Sequence, residues 1–384
     1  MKKKVCFVVA SPMTLRAFLR PHIEALRGQY ALTLVANFGS PRSDNALDLA
    51  PTVSLPIRRR IAPFHDLLAL IRLVALFRRS GFAAVQSVTP KAGLLAMVAG
   101  WIARVPVRVH IFTGQVWVTR RGIARRVLRL MDRVIASAAT HVLVDSPSQR
   151  EFLLAQGVID SRKSGVLGNG SIAGVDGARF KPDPAARAEV RRDLGYSNAE
   201  VVLSYLGRLT RDKGVLDLAT AFATIAPGTR ARLLVVGPDE EGMVDAMKAA
   251  LGATAGQAVF VDYTDRPERY LAASDIFCLP SYREGFGATI IEAAACGVPA
   301  IGSRIYGVTD AIENDVTGLL HEPRNVSELA ACMLRLAGDG ELRRRMGEQA
   351  RARALRDFRT EAITAELMRF YEGALAERET PASG

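Results

Sequence analysis

The sequence predicts an α/β protein made of two doubly wound domains that face each other across a cleft. Three observations carry this. Short apolar runs rich in β-branched residues alternate with helical patterns along the 384-residue chain. Runs that are apolar throughout, and not only at every second position, mark strands covered on both faces, hence parallel sheets. A proline-broken stretch, Phe180-Lys181-Pro182-Asp183-Pro184, interrupts the alternation near its middle. The charge changes sign nearby: residues 1–190 hold 28 basic and 11 acidic side chains, whereas residues 191–384 hold 23 and 28.

The elements follow in order. Met1-Lys2-Lys3-Lys4 and the apolar run behind it imitate a signal peptide. The run is too short and stops at Ser11-Pro12, so 5–10 reads as a buried first strand. Further strands are expected at 32–36, 84–87, 107–112 and 141–144, separated by helical patterns at 14–27, 64–79, 91–104 and 121–139. Beyond the proline break, strands are expected at 201–206, 231–236, 258–261, 276–279 and 299–302, with helices after most of them. The domains are therefore expected at 1–180 and 181–358. Ligands of such sheets bind outside the carboxyl ends of the strands.

Composition excludes several classes. Apolar residues make up 49% of the chain, too many for a disordered protein. Cys6, Cys278, Cys296 and Cys332 are far apart, which argues against a disulfide scaffold or a structural zinc site. The longest apolar stretches, near 92–103 and 67–77, fall short of the ~20 residues that span a bilayer. The net charge of +12 sits in the first half and asks for an anionic partner.

Two motifs carry chemistry. Leu206-Gly207-Arg208-Leu209-Thr210-Arg211-Asp212-Lys213-Gly214 leaves a strand and enters a helix. Gly207 admits close backbone approach, and Arg208 and Lys213 aim two cations at one strand end. These residues alone fit two readings, a pair of solvated charges at a turn or a seat for an anion. In Ser281-Tyr282-Arg283-Glu284-Gly285-Phe286-Gly287, two glycines open a helix at 288–296. A Gly-rich entry leaves helix N-terminal N–H groups free for an anionic or hydroxyl-rich ligand. Glu284 stands before this helix. Glu292 lies about a turn inside it among apolar neighbours, where an unpartnered carboxylate is costly unless it has a task.

The Glu284-to-Glu292 spacing, the Gly-Arg-Leu-x3-Lys-Gly before it and Ala295-Cys296-Gly297-Val298-Pro299-Ala300-Ile301 after it resemble glycosyltransferase family 4. Gly307-Val308-Thr309-Asp310-Ala311-Ile312, Thr317-Gly318-Leu319-Leu320 and Asn169-Gly170-Ser171 extend the resemblance. It implies a GT-B architecture of two Rossmann-like domains, an acceptor-binding first domain, and retaining transfer from a nucleotide sugar held by the second. It also implies that a helix at 359–376 crosses back to the first domain. Carried over by position, Arg208 and Lys213 hold the donor diphosphate, and Glu284 with the Gly285-Phe286-Gly287 backbone holds the sugar. Glu292 accepts from ribose hydroxyls, Gly237 shapes the cleft, and Tyr263 with Thr264 flanks the base. Asp310 stands where many relatives have Glu.

The first half resembles the family less. Ala10-Ser11-Pro12-Met13-Thr14 lacks the usual glycines, and Thr113, before Gly114, stands where many relatives carry a catalytic histidine. His110 lies an odd number of positions away, on the opposite sheet face, which favours a structural role. The Thr113-Gly114-Gln115-Val116-Trp117 run and Lys91 resemble bacterial O-antigen and capsule transferases, which implies an acceptor sugar on a polyprenyl diphosphate. In the mechanism proposed for such enzymes, the leaving diphosphate takes the acceptor proton. No D-x-D triplet occurs, so no metal and no other cofactor is expected.

Arg58-Arg59-Arg60 precedes one amphipathic pattern, and Arg121, Arg125, Arg129 and Arg133 recur every four residues in another. Basic amphipathic helices read as membrane-surface elements, with solvated cationic faces as the alternative. Without interleaved aromatics or a nucleic-acid module, nucleic acid is the least supported partner. The expected location is cytoplasmic, peripheral to the inner face of the membrane. A sugar-nucleotide epimerase and a non-catalytic anionic-lipid binder are the alternatives.

Overall fold

The uniformly apolar runs are strands, and their pairings are parallel. In the computed structural model, which describes residues 1–38, 49–57 and 62–377, the chain forms two compact units. One is Met1–Ala173 with the segment from Thr360 onward, and the other is Gly174–Arg359.

The first unit holds β1 (Lys4–Val8), β2 (Ala31–Ala36), β3 (Thr52–Ser54), β4 (Ala84–Val88), β5 (Val107–Phe112), β6 (His141–Val144) and β7 (Ser164–Val166). Their order is β3-β2-β1-β4-β5-β6-β7, so the winding reverses between β1 and β4. Val5, Cys6, Phe7 and Val8 are all buried because helices cover both faces of the sheet. β3 and β7 were not expected. Each has three residues, none fully buried, and so lacks an apolar run. The helix expected at 14–27 is broken into a π-turn at Leu15–Leu19 and an α-helix at Arg20–Leu26. Pro21 has no N–H to donate and cannot continue a regular ladder.

The second unit holds β8 (Val201–Leu206), β9 (Ala231–Val236), β10 (Ala258–Val261), β11 (Ile276–Leu279), β12 (Ala300–Ser303) and β13 (Gly318–His321). The order β10-β9-β8-β11-β12-β13 reverses between β8 and β11, which pair in parallel through Ile276 with Leu203 and Phe277 with Ser204.

The boundary falls at Ala173/Gly174, not at residue 180. Val175 and Phe180 are buried in the second unit's core, and the Val175 N–H donates to Phe358 O at 2.7 Å. The proline-rich stretch instead starts the helix Pro184–Asp193, capped by the Asp183 carboxylate on Ala186 N–H.

The helix Thr360–Ala376 belongs to the first unit. His22 Nε2 donates to Ile172 O (2.6 Å), which leaves Nδ1 to accept from the Thr364 hydroxyl (2.9 Å). The Tyr371 hydroxyl donates to Gln86 Oε1 at 2.6 Å. Ile363, Leu367 and Tyr371 are buried, each worth about 1.5–3 kcal/mol on leaving water.

Candidate functional site

The carboxyl ends of β8 and β11 diverge where the second sheet reverses, and both motifs lie there. Gly237 has φ +141°, and a Cβ on it would stand 2.0 Å from Gly207 O. The loops after β8 and β9 therefore meet backbone to backbone, joined also by Leu209 N–H to Pro238 O (2.9 Å). Gly214 has φ +67°, and a Cβ there would lie 2.0 Å from Pro280 O, so the β8 and β11 loops meet as closely.

These backbone contacts set the charges. Lys213 Nζ stands 2.5 Å from Glu284 Oε1, and Arg208 pairs with Glu240 at 2.8 Å. Arg283 Nε donates to Asp212 Oδ2 at 2.9 Å. Each of the two cations holds its own carboxylate from a neighbouring loop. Glu240 belongs to the acidic run Asp239-Glu240-Glu241 after β9, a signal visible in the residue types. Glu241 likewise accepts from Arg211 N–H at 3.0 Å.

Glu284, Gly285, Phe286 and Gly287 lead into the helix Ala288–Ala295. Phe286 is buried edge-on to Phe358, ring centroids 5.0 Å apart, so only its backbone faces the loop's ligand side. Gly287, in the left-handed region at φ +86°, heads the helix without a side-chain cap. Ile290 N–H donates to Gly287 O (2.8 Å), which leaves the first two N–H groups of the helix without an intrahelical acceptor. Glu292 is part-buried, and its carboxylate accepts no hydrogen bond among the described residues. Burial pushes its carboxyl up to about 7, against the pull of Arg179, which pairs with Glu268 at 2.8 Å. Tyr263 is exposed. Arg353 Nη2 donates to Asp310 O (2.7 Å), so that residue is held by its backbone.

In the first unit, Lys91 lies in the opening turn of the helix Pro90–Ile102 and pairs with Asp66 at 2.7 Å. Thr113 follows β5, and its carbonyl accepts from Gln115 and Gln149, both at 2.8 Å. Gly114, next to it, is part-buried. His110 is a core residue. Its Nδ1 is 2.8 Å from Ser87 Oγ, its ring stands edge-on to Phe112 at 4.5 Å, and burial lowers its pKa to about 3. Gly93 makes room for it, since a Cβ there would lie 2.3 Å from the ring. Sheet and helix packing, not spacing along the chain, brings Gly93 to His110.

Arg58, Arg59 and Arg60 lie outside the described residues. The arginine row of the helix Gly122–Ala138 is largely exposed, yet several of its guanidinium groups are held by the protein. Arg125 and Arg129 lie over the Trp117 ring at 5.9 and 5.8 Å, Arg129 donates to Gln156 O, and Arg133 donates to Gly157 O at 3.0 Å. Trp117 in turn donates to the buried Asp132 at 2.8 Å. The outward face of this helix is apolar: Ile123, Val127, Leu130 and Val134 are exposed at helical spacing. Phe64 (89% exposed), Leu67, Leu68 and Ile71 form a similar row on the helix Pro63–Ser80.

Two doubly wound units, the second with cations and an uncapped helix entry where its sheet reverses, define a GT-B protein. Residues 16–170 match the Glycosyl transferase 4-like domain and residues 186–353 match Glycosyl transferases group 1. The chain thus carries both glycosyltransferase domains and is a glycosyltransferase. It is 29% identical, over 99% of its length and 100% of the relative's, to the capsular polysaccharide biosynthesis glycosyltransferase CapM of Staphylococcus aureus. It is 26% identical, over 81% of each chain, to the Escherichia coli UDP-Gal:alpha-D-GlcNAc-diphosphoundecaprenol alpha-1,3-galactosyltransferase. The fold also matches the crystal structure of Anabaena HepE in complex with UDP and glucose. The TM-score is 0.81 at 19% identity, over 97% of this chain and 100% of that one.

Proposed function

We propose that the protein is a retaining hexosyl- or N-acetylhexosaminyltransferase of surface-polysaccharide synthesis. It moves a sugar from a UDP-linked donor to an acceptor carried on a polyprenyl diphosphate. The observation that carries this reading is the meeting of Arg208, Lys213, Glu284 and the Gly285–Gly287 backbone at the β8–β11 reversal. Arg208 and Lys213 leave their carboxylates for the donor diphosphate. Gly207 and Gly237 let the backbone approach it, Glu284 and the following N–H groups hold the sugar, and Glu292 accepts from the ribose. The bond from the anomeric carbon to the β-phosphate oxygen breaks, and a bond to the acceptor oxygen forms on the same face. The acceptor proton passes to the departing diphosphate. Its charge is met by the two cations and the helix entry, with no resident metal or cofactor. Thr113, Gly114 and Lys91 belong to the acceptor domain in this reading.

The lipid acceptor is supported by the name of the E. coli relative and by the first unit's surface. Among the described residues no helix is long and apolar enough to cross a membrane. The exposed apolar rows beside Arg72, Arg125 and Arg126 instead suit docking onto an anionic leaflet.

The test is nucleoside diphosphate release from a panel of nucleotide sugars, with lipid-linked acceptor extracts and with EDTA. NMR of the product reads the anomeric configuration. The reading predicts acceptor-dependent release, insensitive to EDTA, with retention. Conversion of a nucleotide sugar without acceptor contradicts it.

A further inference from the structure

Lys213 and Glu284 are not the only link between the β8 and β11 loops. Three consecutive residues of the β11 loop each take a partner from the β8 side. The Tyr282 N–H donates to Asp212 O (2.9 Å), and its hydroxyl donates to Asp217 Oδ2 (2.7 Å). Arg283 pairs with the Asp212 carboxylate, and Glu284 with Lys213. The charges alternate: Asp212 and Lys213 on one loop face Arg283 and Glu284 on the other. A slip of one residue would set Asp212 against Glu284, or Lys213 against Arg283. Like charges in close, half-buried contact are unfavourable, so the alternation fixes one register. Asp212 also neutralises the guanidinium beside Glu284 in the chain, which would otherwise compete with Lys213 for that carboxylate. Arg324, stacked 4.1 Å above the Tyr282 ring, braces the same loop.

We propose that Asp212, acting through Arg283, is a positioning residue that holds Glu284 in register at the donor sugar. This inference rests on the donor-site reading above and adds to it a pair that touches no substrate.

The experiment measures UDP affinity, kcat and KM for the active donor, and the thermal midpoint. It compares Asp212→Asn, Arg283→Gln, their double variant and Asp212→Glu. The cations that hold diphosphate stay in Asp212→Asn, so its UDP affinity should change less than about twofold while kcat falls about tenfold or more. Arg283→Gln should match it, the double variant should be no worse than either single one, and Asp212→Glu should recover part of kcat. Wild-type kcat in both single variants, additive losses in the double variant, or a kcat loss matched by equal losses of UDP affinity and thermal midpoint would overturn the inference. Glu284→Ala, run in parallel, separates the two ideas. Full activity there sinks the donor-site reading itself. A dead Glu284→Ala beside a fully active Asp212→Asn sinks only the register inference.

Discussion

Lys213 Nζ lies 2.5 Å from Glu284 Oε1, and the side chains are only 21% and 12% exposed. This half-buried pair joins the loops that follow the adjacent parallel strands β8 and β11, where the winding of the sheet reverses. In the proposed reading each member serves one chemical half of the donor, Lys213 the diphosphate and Glu284 the sugar.

Glu240 pairs with the Arg208 guanidinium, so in the proposed reading the donor phosphate displaces it. The pair is partly exposed, 44% and 33%, and exposed pairs are worth little. Glu240→Gln should therefore tighten UDP binding by about two- to fivefold at low salt, with the gain fading in high salt. Calorimetric titration checks this. Weaker binding would mean that Glu240 contacts the donor itself.

Glu292 gives the site a pH dependence. With its carboxyl held near 7, lowering the pH from 8 to 6 protonates it. A protonated carboxyl is a poorer acceptor for two ribose hydroxyls. Donor affinity should fall on acidification with a midpoint near 7, and Glu292→Gln should flatten that profile at a weak level. A wild-type profile flat across this range would remove Glu292 from the ribose.

His110 is kept neutral by burial, with a pKa near 3 in the folded protein against an ordinary value of 6.5. The unfolded chain takes up this proton below about pH 6.5, whereas the folded one does not. Stability relative to a His110→Gln variant should therefore fall as pH drops from 7 to 5, by up to about 1.4 kcal/mol per pH unit. Gly93→Ala, which drives a methyl into the same ring, should cost about 1–3 kcal/mol in urea unfolding. A pH-independent difference between wild type and His110→Gln would place the ring in water.

The first unit's exposed rows make a prediction about membranes. Ile123→Asp with Leu130→Asp should abolish flotation with phosphatidylglycerol vesicles while leaving donor turnover on a soluble acceptor intact. Arg125→Glu with Arg126→Glu should weaken flotation mainly at low salt. Unchanged flotation of both variants would mean that these helices do not dock.

Much of the fold was legible because buried parallel strands carry continuous apolar runs. β3 and β7 have none and escaped notice. The domain boundary was misplaced because prolines mark a break in regular structure, whereas Val175 and Phe180 settle it by packing. In the candidate site, the glycines and charged residues stood out by type and spacing. Their partners did not, because Glu240 with Arg208 and Asp212 with Arg283 meet only through sheet order. The arginine row is a related case. Periodicity shows that residues share a face, but Trp117 and the turn at Gln156 and Gly157 decide where those guanidinium groups lie.

The most direct test of the account compares nucleotide-sugar turnover and UDP affinity in wild type, Arg208→Ala, Lys213→Ala and Glu284→Ala. The account predicts that all three variants lose turnover by about 10²-fold or more. Arg208→Ala and Lys213→Ala should also lose UDP affinity, whereas Glu284→Ala, whose carboxylate serves the sugar, should bind UDP nearly as wild type does. Turnover within a few-fold of wild type in Lys213→Ala and Glu284→Ala would contradict it.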